Sequence, residues 1–148
     1  MTGILVETDV IVEFLTAPPA TETLLRRLLS ATTCFTTFIQ ASEVYSACES
    51  AADRSAVDRA LFGLKILGAS SRYSKTIGAV LTSLDSMRGH RTAIVAAMAL
   101  ESSLPVVTDT HYDVFSAVPG LRLYPAAELR RVSNRDELMK MLSDPSSL

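Results

Sequence analysis

Cysteine is too scarce in this sequence to staple it together. Cys34 and Cys48 are the only two; they lack metal-ligand spacing, and each reads as an ordinary thiol in or near a core rather than half of a disulfide or part of a zinc site. Glycine and proline, six of each, are too few for a linker or a low-complexity tract, and nothing recurs at the periods typical of solenoids. No apolar run reaches membrane-spanning length, because charged or polar residues interrupt each one. The N-terminus carries no basic region followed by a long apolar stretch, so the expectation is a soluble, cytoplasmic protein without a membrane partner. A charge excess is missing too: 14 Lys and Arg against 16 Asp and Glu give a net charge of -2. That balance argues against a protein coating nucleic acid through a broadly basic surface, so any such contact must be local or metal-mediated. What remains is 148 residues, 48% hydrophobic and 20% charged. That is enough for one compact core, and no compositional shift divides it, so residues 1–148 read as a single domain.

The chemistry concentrates where apolar runs stop. Ile4, Leu5 and Val6 are apolar without alternation, the pattern of a buried parallel strand. Glu7 and Asp9 follow at once, and in open α/β sheets ligands gather just beyond the carboxyl ends of the strands. Two acids there suggest a cation. The plainer alternative is that Asp9 caps a helix beginning at Val10 and Glu7 is an exposed strand end. Val10 to Leu15 reads as a short helix ended near Pro18-Pro19. From Thr21, an amphipathic helix places Leu24, Leu25, Leu28 and Leu29 on one face. Thr32 to Thr36 reads as a second strand, and a helix opens near Thr37. That helix carries Glu43 among Ile39, Ala41, Val44 and Ala47, where a carboxylate needs a partner or a metal unless it points to solvent. Helices are expected over Ser55 to Leu67 and Ser74 to Met87, and a small-residue helix over Ala93 to Leu100. Leu104 to Thr108 is a further strand, after which stand Asp109, His111 and Asp113. Both histidines, His90 and His111, have an ordinary reading as packed or solvated side chains; His111 has the further option of orienting a ligand or a water. Leu121 to Tyr124 is the last strand, and the tail from Ala126 covers an edge as a helix or two.

Taken together, Ile4 to Phe14, the Thr37 to Tyr45 helix with Glu43, the Ala-rich helix after Thr92, the Leu-Pro strand and the Pro119-Gly120-Leu121 turn make this chain resemble a PIN domain. More narrowly, it is similar to the VapC-type toxin ribonucleases. The resemblance covers Ile4 to about Leu123. It implies an α/β fold with a mainly parallel central sheet flanked by helices in three layers. It also implies carboxylates clustered over Mg2+ or Mn2+ for cleavage of RNA phosphodiester bonds, a small antitoxin protein in an apolar groove with a basic residue reaching the acidic pocket, and a homodimer. Hard cations prefer oxygen ligands and neutralise carboxylates that otherwise repel one another. Two ions about 3.5–4 Å apart generate hydroxide and stabilise the leaving oxygen of an in-line displacement.

Carried over by position, the resemblance makes Glu7, Glu43 and Asp109 the catalytic carboxylates and Glu7, Asp9, Glu43 and Asp109 the metal ligands, with Asp113 as an alternative to Asp109. Two departures stand out. Glu7 is one methylene longer than the family's first Asp, and Thr92 stands where the family places its third acid. Magnesium commonly binds through one or two protein carboxylates, so one ion survives this loss on paper while a second does not, and weakened metal binding with slower or absent cleavage is expected. Just ahead of Thr92, Arg88, His90 and Arg91 put positive charge beside a helix N-terminus; with Thr92 they form a candidate phosphate seat for substrate, against the alternative of a solvated loop. Two functional classes follow: a metal-dependent toxin ribonuclease, and a PIN-fold RNA-binding or protein-interaction module that keeps the pocket without the catalysis. A receiver-like phosphoacceptor domain fits less well, because no Lys lies near the end of the late strand.

Overall fold

The computed structural model describes residues 2–84, 89–144 and 146. Five short strands, β1 (Ile4–Val6), β2 (Cys34–Thr37), β3 (Lys65–Leu67), β4 (Val106–Thr108) and β5 (Leu123–Pro125), form one sheet in the order β3-β2-β1-β4-β5. Every pairing is parallel, and Leu5 lies opposite Phe35 on one side and Val106 on the other. Parallel strands need crossovers, and helices supply them: α1 (Thr8–Thr16), α2 (Leu24–Ala31), α3 (Phe38–Ser46), α4 (Ala51–Phe62), α5 (Ser74–Ser83), α6 (Gly89–Glu101) and α7 (Tyr112–Ser116), while α8 (Ala126–Arg131) and α9 (Arg135–Ser143) follow the last strand.

Strand alternation sorts the core into two halves. Ile4, Val6, Cys34, Val107 and Tyr124 face α1 to α4, α8 and α9, packing with Val10, Ile11, Leu24, Leu25 and Leu28. Leu5, Phe35, Val106 and Leu123 face the other way, onto Val80 of α5, Ala93, Val95, Ala96 and Ala99 of α6, and Phe115 of α7. The small residues of α6 let that helix lie close to the sheet, and Thr92 through Ala99 are buried apart from Ile94. The result is the three-layer arrangement that the resemblance implies, with both faces of the sheet covered.

One expected element differs. The stretch Ser55 to Leu67 is not a single helix: α4 starts earlier, capped by Ser50 and Asp53 in a reciprocal capping box, and stops at Phe62 with Gly63 at its C-cap. Lys65, Ile66 and Leu67 then pair with Phe35, Thr36 and Thr37 as an edge strand. Three residues with a largely exposed face carry little periodicity of their own, and the open edge of β2 decides their conformation. No helix among the described residues is long and apolar enough to cross a membrane.

Candidate functional site

The carboxyl ends of β1, β2 and β4 lie side by side, and each hands over to a residue of the acidic network. Glu7 ends β1 and is also the N-cap of α1, its carboxylate accepting from the Thr8 amide at 3.0 Å. The helix therefore starts at Thr8, and Glu7 is fully buried rather than an exposed strand end. β2 runs into α3 through Thr37, which caps the helix in a reciprocal box with Gln40. That box aims the Gln40 amide at Glu7 Oε1, 3.0 Å away. One turn on, α3 presents Glu43, about one-third exposed.

What joins the two carboxylates is Arg91, from the first turns of α6. Its Nη1 and Nη2 donate to Glu7 Oε1 and Oε2 at 3.2 and 2.8 Å. Its Nε donates to Glu43 Oε1, and Nη2 also reaches Glu43 Oε2 at 2.9 Å. Thr8 Oγ1 donates to the same Glu43 oxygen. The guanidinium thus forks across both acids, a geometry that a point charge on Lys would not reproduce. Glu43 is held below the usual carboxyl range, chiefly by its hydrogen bond from Arg91 and further by Thr8, against the opposing push of burial. Burial works to make Arg91 give up its proton, but Glu43 and Glu7 more than offset it, and its pKa is raised. His111 stands at the N-cap of α7 with its Nδ1 3.4 Å from Glu7 Oε2. That nitrogen is buried and makes no hydrogen bond.

The remaining expected acids serve other bonds. Asp9 accepts from the Asp109 and Thr110 amides through Oδ2, at 2.8 and 3.0 Å, and from Thr108 Oγ1 through both oxygens. It ties the start of α1 to the loop after β4. The Asp109 carboxylate is taken by α8, accepting from the Ala127 amide at 2.8 Å and from Arg130, which also binds Glu13. Burial alone would raise the Asp109 pKa, but the Ala127 amide and Arg130 outweigh it and the pKa is lowered. Asp113 sits exposed in the first turn of α7. Of the candidate phosphate seat, His90 is exposed, Thr92 is buried, Arg91 turns to the acids, and Arg88 lies outside the described residues. The structure therefore brings Glu7, Glu43, Arg91 and His111 together, and leaves Asp9, Asp109 and Asp113 out of that group.

These residues do not fit a Mg2+ or Mn2+ centre as they stand. Among the described residues no three acid, histidine or cysteine side chains converge closely enough to hold a metal ion, and a guanidinium fills the space between the two acids that do meet. The arrangement can hold charge and shape a pocket. Two participants escaped the sequence reading, Gln40 and Thr8. The spacing Thr37-Phe38-Ile39-Gln40 is itself a capping-box signal and points Gln40 back toward the end of the strands. Thr8 carried no such sign.

Against known proteins, the architecture first defines a class: the PIN-like three-layer α/β fold, as the resemblance implies. No family model matches the chain, and no curated protein matches it by sequence. Among solved structures, it is similar to a DNA-bound VapBC from Salmonella typhimurium, with TM-score 0.70 and 20% identity over 85% of this chain and 99% of that one. It is similar to VapBC2 from Rickettsia felis bound to a promoter DNA fragment, with TM-score 0.68 and 20% identity over 82% and 96%. VapBC-1 from nontypeable Haemophilus influenzae gives TM-score 0.67 and 13% identity over 86% and 99%. These three neighbours are toxin–antitoxin complexes, and at such identities the likeness is one of fold.

Proposed function

We propose that this chain is the PIN-fold, toxin-side member of a toxin–antitoxin pair, acting as a binding or regulatory module in which metal-dependent RNA cleavage is weakened or lost. The observation that carries this reading is Arg91 bonded to both Glu7 and Glu43. That end of the sheet holds five carboxylates against two guanidiniums: Glu7 and Glu43 on Arg91, Glu13 and Asp109 on Arg130, and Asp9 on the amides at 109 and 110. Without a divalent ion that end of the sheet repels a phosphodiester backbone and favours a basic segment. Beside Glu43 opens a groove of about 330 Å3 lined by Val12, Leu15, Val44, Ala47 and Val57. An antitoxin helix with an apolar face and a basic flank suits it.

One observation favours the ribonuclease reading instead: Glu7 directly follows β1 and Glu43 stands in the helix that follows the neighbouring β2, on the side of the sheet's carboxyl ends where an α/β fold binds its ligand. Incubating purified protein with single-stranded RNA and Mg2+ or Mn2+ decides between the two. The module reading expects no metal-dependent cleavage above that of Glu43→Gln; cleavage that Glu43→Gln abolishes would replace it with a Mg2+- or Mn2+-dependent endoribonuclease.

A further inference from the structure

We infer that Arg91 is the resident counter-ion of the acidic pocket, so that the guanidinium and a divalent cation exclude each other there. Glu7 makes the case. A carboxylate offers about four lone-pair positions, and in Glu7 each oxygen already has two donors. Oε1 accepts from Gln40 Nε2 and Arg91 Nη1; Oε2 accepts from the Thr8 amide and Arg91 Nη2, with His111 Nδ1 facing it at 3.4 Å. No lone pair of Glu7 is left to ligate a metal. Glu43 is nearly as occupied, holding Arg91 twice and the Thr8 hydroxyl once.

Arg91 cannot drift away as a surface side chain would. Its own helix is buried against the sheet from Thr92 through Val95 to Ala99, with only Ile94 less covered, and the side chain is itself about three-quarters covered. An incoming cation would have to displace four charged hydrogen bonds, leave a guanidinium without partners, and give up water that Mg2+ releases reluctantly. The helix α6 thus supplies, at Arg91, the positive charge that Glu7 and Glu43 need.

The inference deepens the module reading and rests on it, and the experiment separates their failures. Mn2+ is titrated into the purified full chain and followed by water-proton relaxation, for wild type, Arg91→Ala, Arg91→Lys and Glu43→Gln. Wild type is expected to show no protein-bound Mn2+ at millimolar concentration, and Arg91→Lys, which keeps the charge without the fork, to bind Mn2+ more weakly than Arg91→Ala. Arg91→Ala, with two uncompensated carboxylates, is expected to bind Mn2+ about tenfold or more tightly than wild type. Equal binding by wild type and Arg91→Ala overturns the inference. If Arg91→Ala does not fold, the wild-type titration decides alone: bound Mn2+ that disappears in Glu43→Gln overturns it, and none supports it. Mn2+ bound by wild type without RNA cleavage sinks this inference and leaves the module reading standing; RNA cleavage by a wild type that binds no Mn2+ does the reverse.

Discussion

At the scale of single residues, Glu7 is fully buried and is bonded by Arg91, Gln40 and the Thr8 amide. Removing one partner of a buried ion pair leaves the other uncompensated, which costs far more than the pair contributes over an apolar replacement. Arg91→Ala should therefore lose about 3 kcal/mol of stability in urea unfolding, while Glu7→Gln/Arg91→Ala together should lose less than the sum of the single changes. At this end of the sheet the pH dependence comes from Glu43 and Asp109, whose folded pKa values are lowered. Folded, both release a proton more readily than unfolded, so their contribution is complete above the ordinary carboxyl range. It is lost as pH falls below about 4.5, where the unfolded chain takes up protons first. Thermal melts from neutral pH downward should show that decline, with a shallower slope in Glu43→Gln. Glu7 and Glu43 were legible from position alone, one after a buried strand and one in a helix start among apolar neighbours. Asp9 and Asp109 were not, because what engages them, the amides at 109 and 110, the amide at 127 and Arg130, is distant in sequence and invisible to local pattern.

At the scale of elements, α3 is the one on which the site depends, since its first turn holds Gln40 against Glu7 and its second presents Glu43. Thr37 caps it and shares its hydroxyl with Gln40. Thr37→Ala should cost about 1–2 kcal/mol by loss of the cap. It should also perturb the Glu7 and Arg91 side-chain resonances in NMR spectra, although neither residue touches position 37 in sequence. Long periodic stretches announced themselves: α2 through its leucines, α6 through its alanines, β1 and β4 through unbroken apolar runs. The failures were short elements whose conformation is borrowed from neighbours. β3 exists because β2 had an unpaired edge; α7, five residues long, follows from a loop fixed by Asp9 and Thr108.

At the scale of the whole molecule, two cores share one thin sheet, so the sheet residues bear on both. Leu5 is fully buried in the half formed with α5, α6 and α7, and Leu5→Ala should cost about 3–4 kcal/mol. Phe62, 94% exposed, lies outside either core, and Phe62→Ser should change stability by less than about 0.5 kcal/mol. Comparing the two in denaturant titrations checks that the division between core and surface is drawn correctly.

The central position of β1 has a temporal consequence. Its amide at Leu5 bonds to Pro105, and Leu5 itself pairs with Val106, residues that a ribosome polymerises long after the strand has emerged. At common elongation speeds that interval is about 5–20 s, during which nascent β1 has at most β2 on one flank and nothing on the other. Synthesis in the cell thus leaves the middle of the sheet open for seconds, a window in which a chaperone would be met before the closing strand arrives.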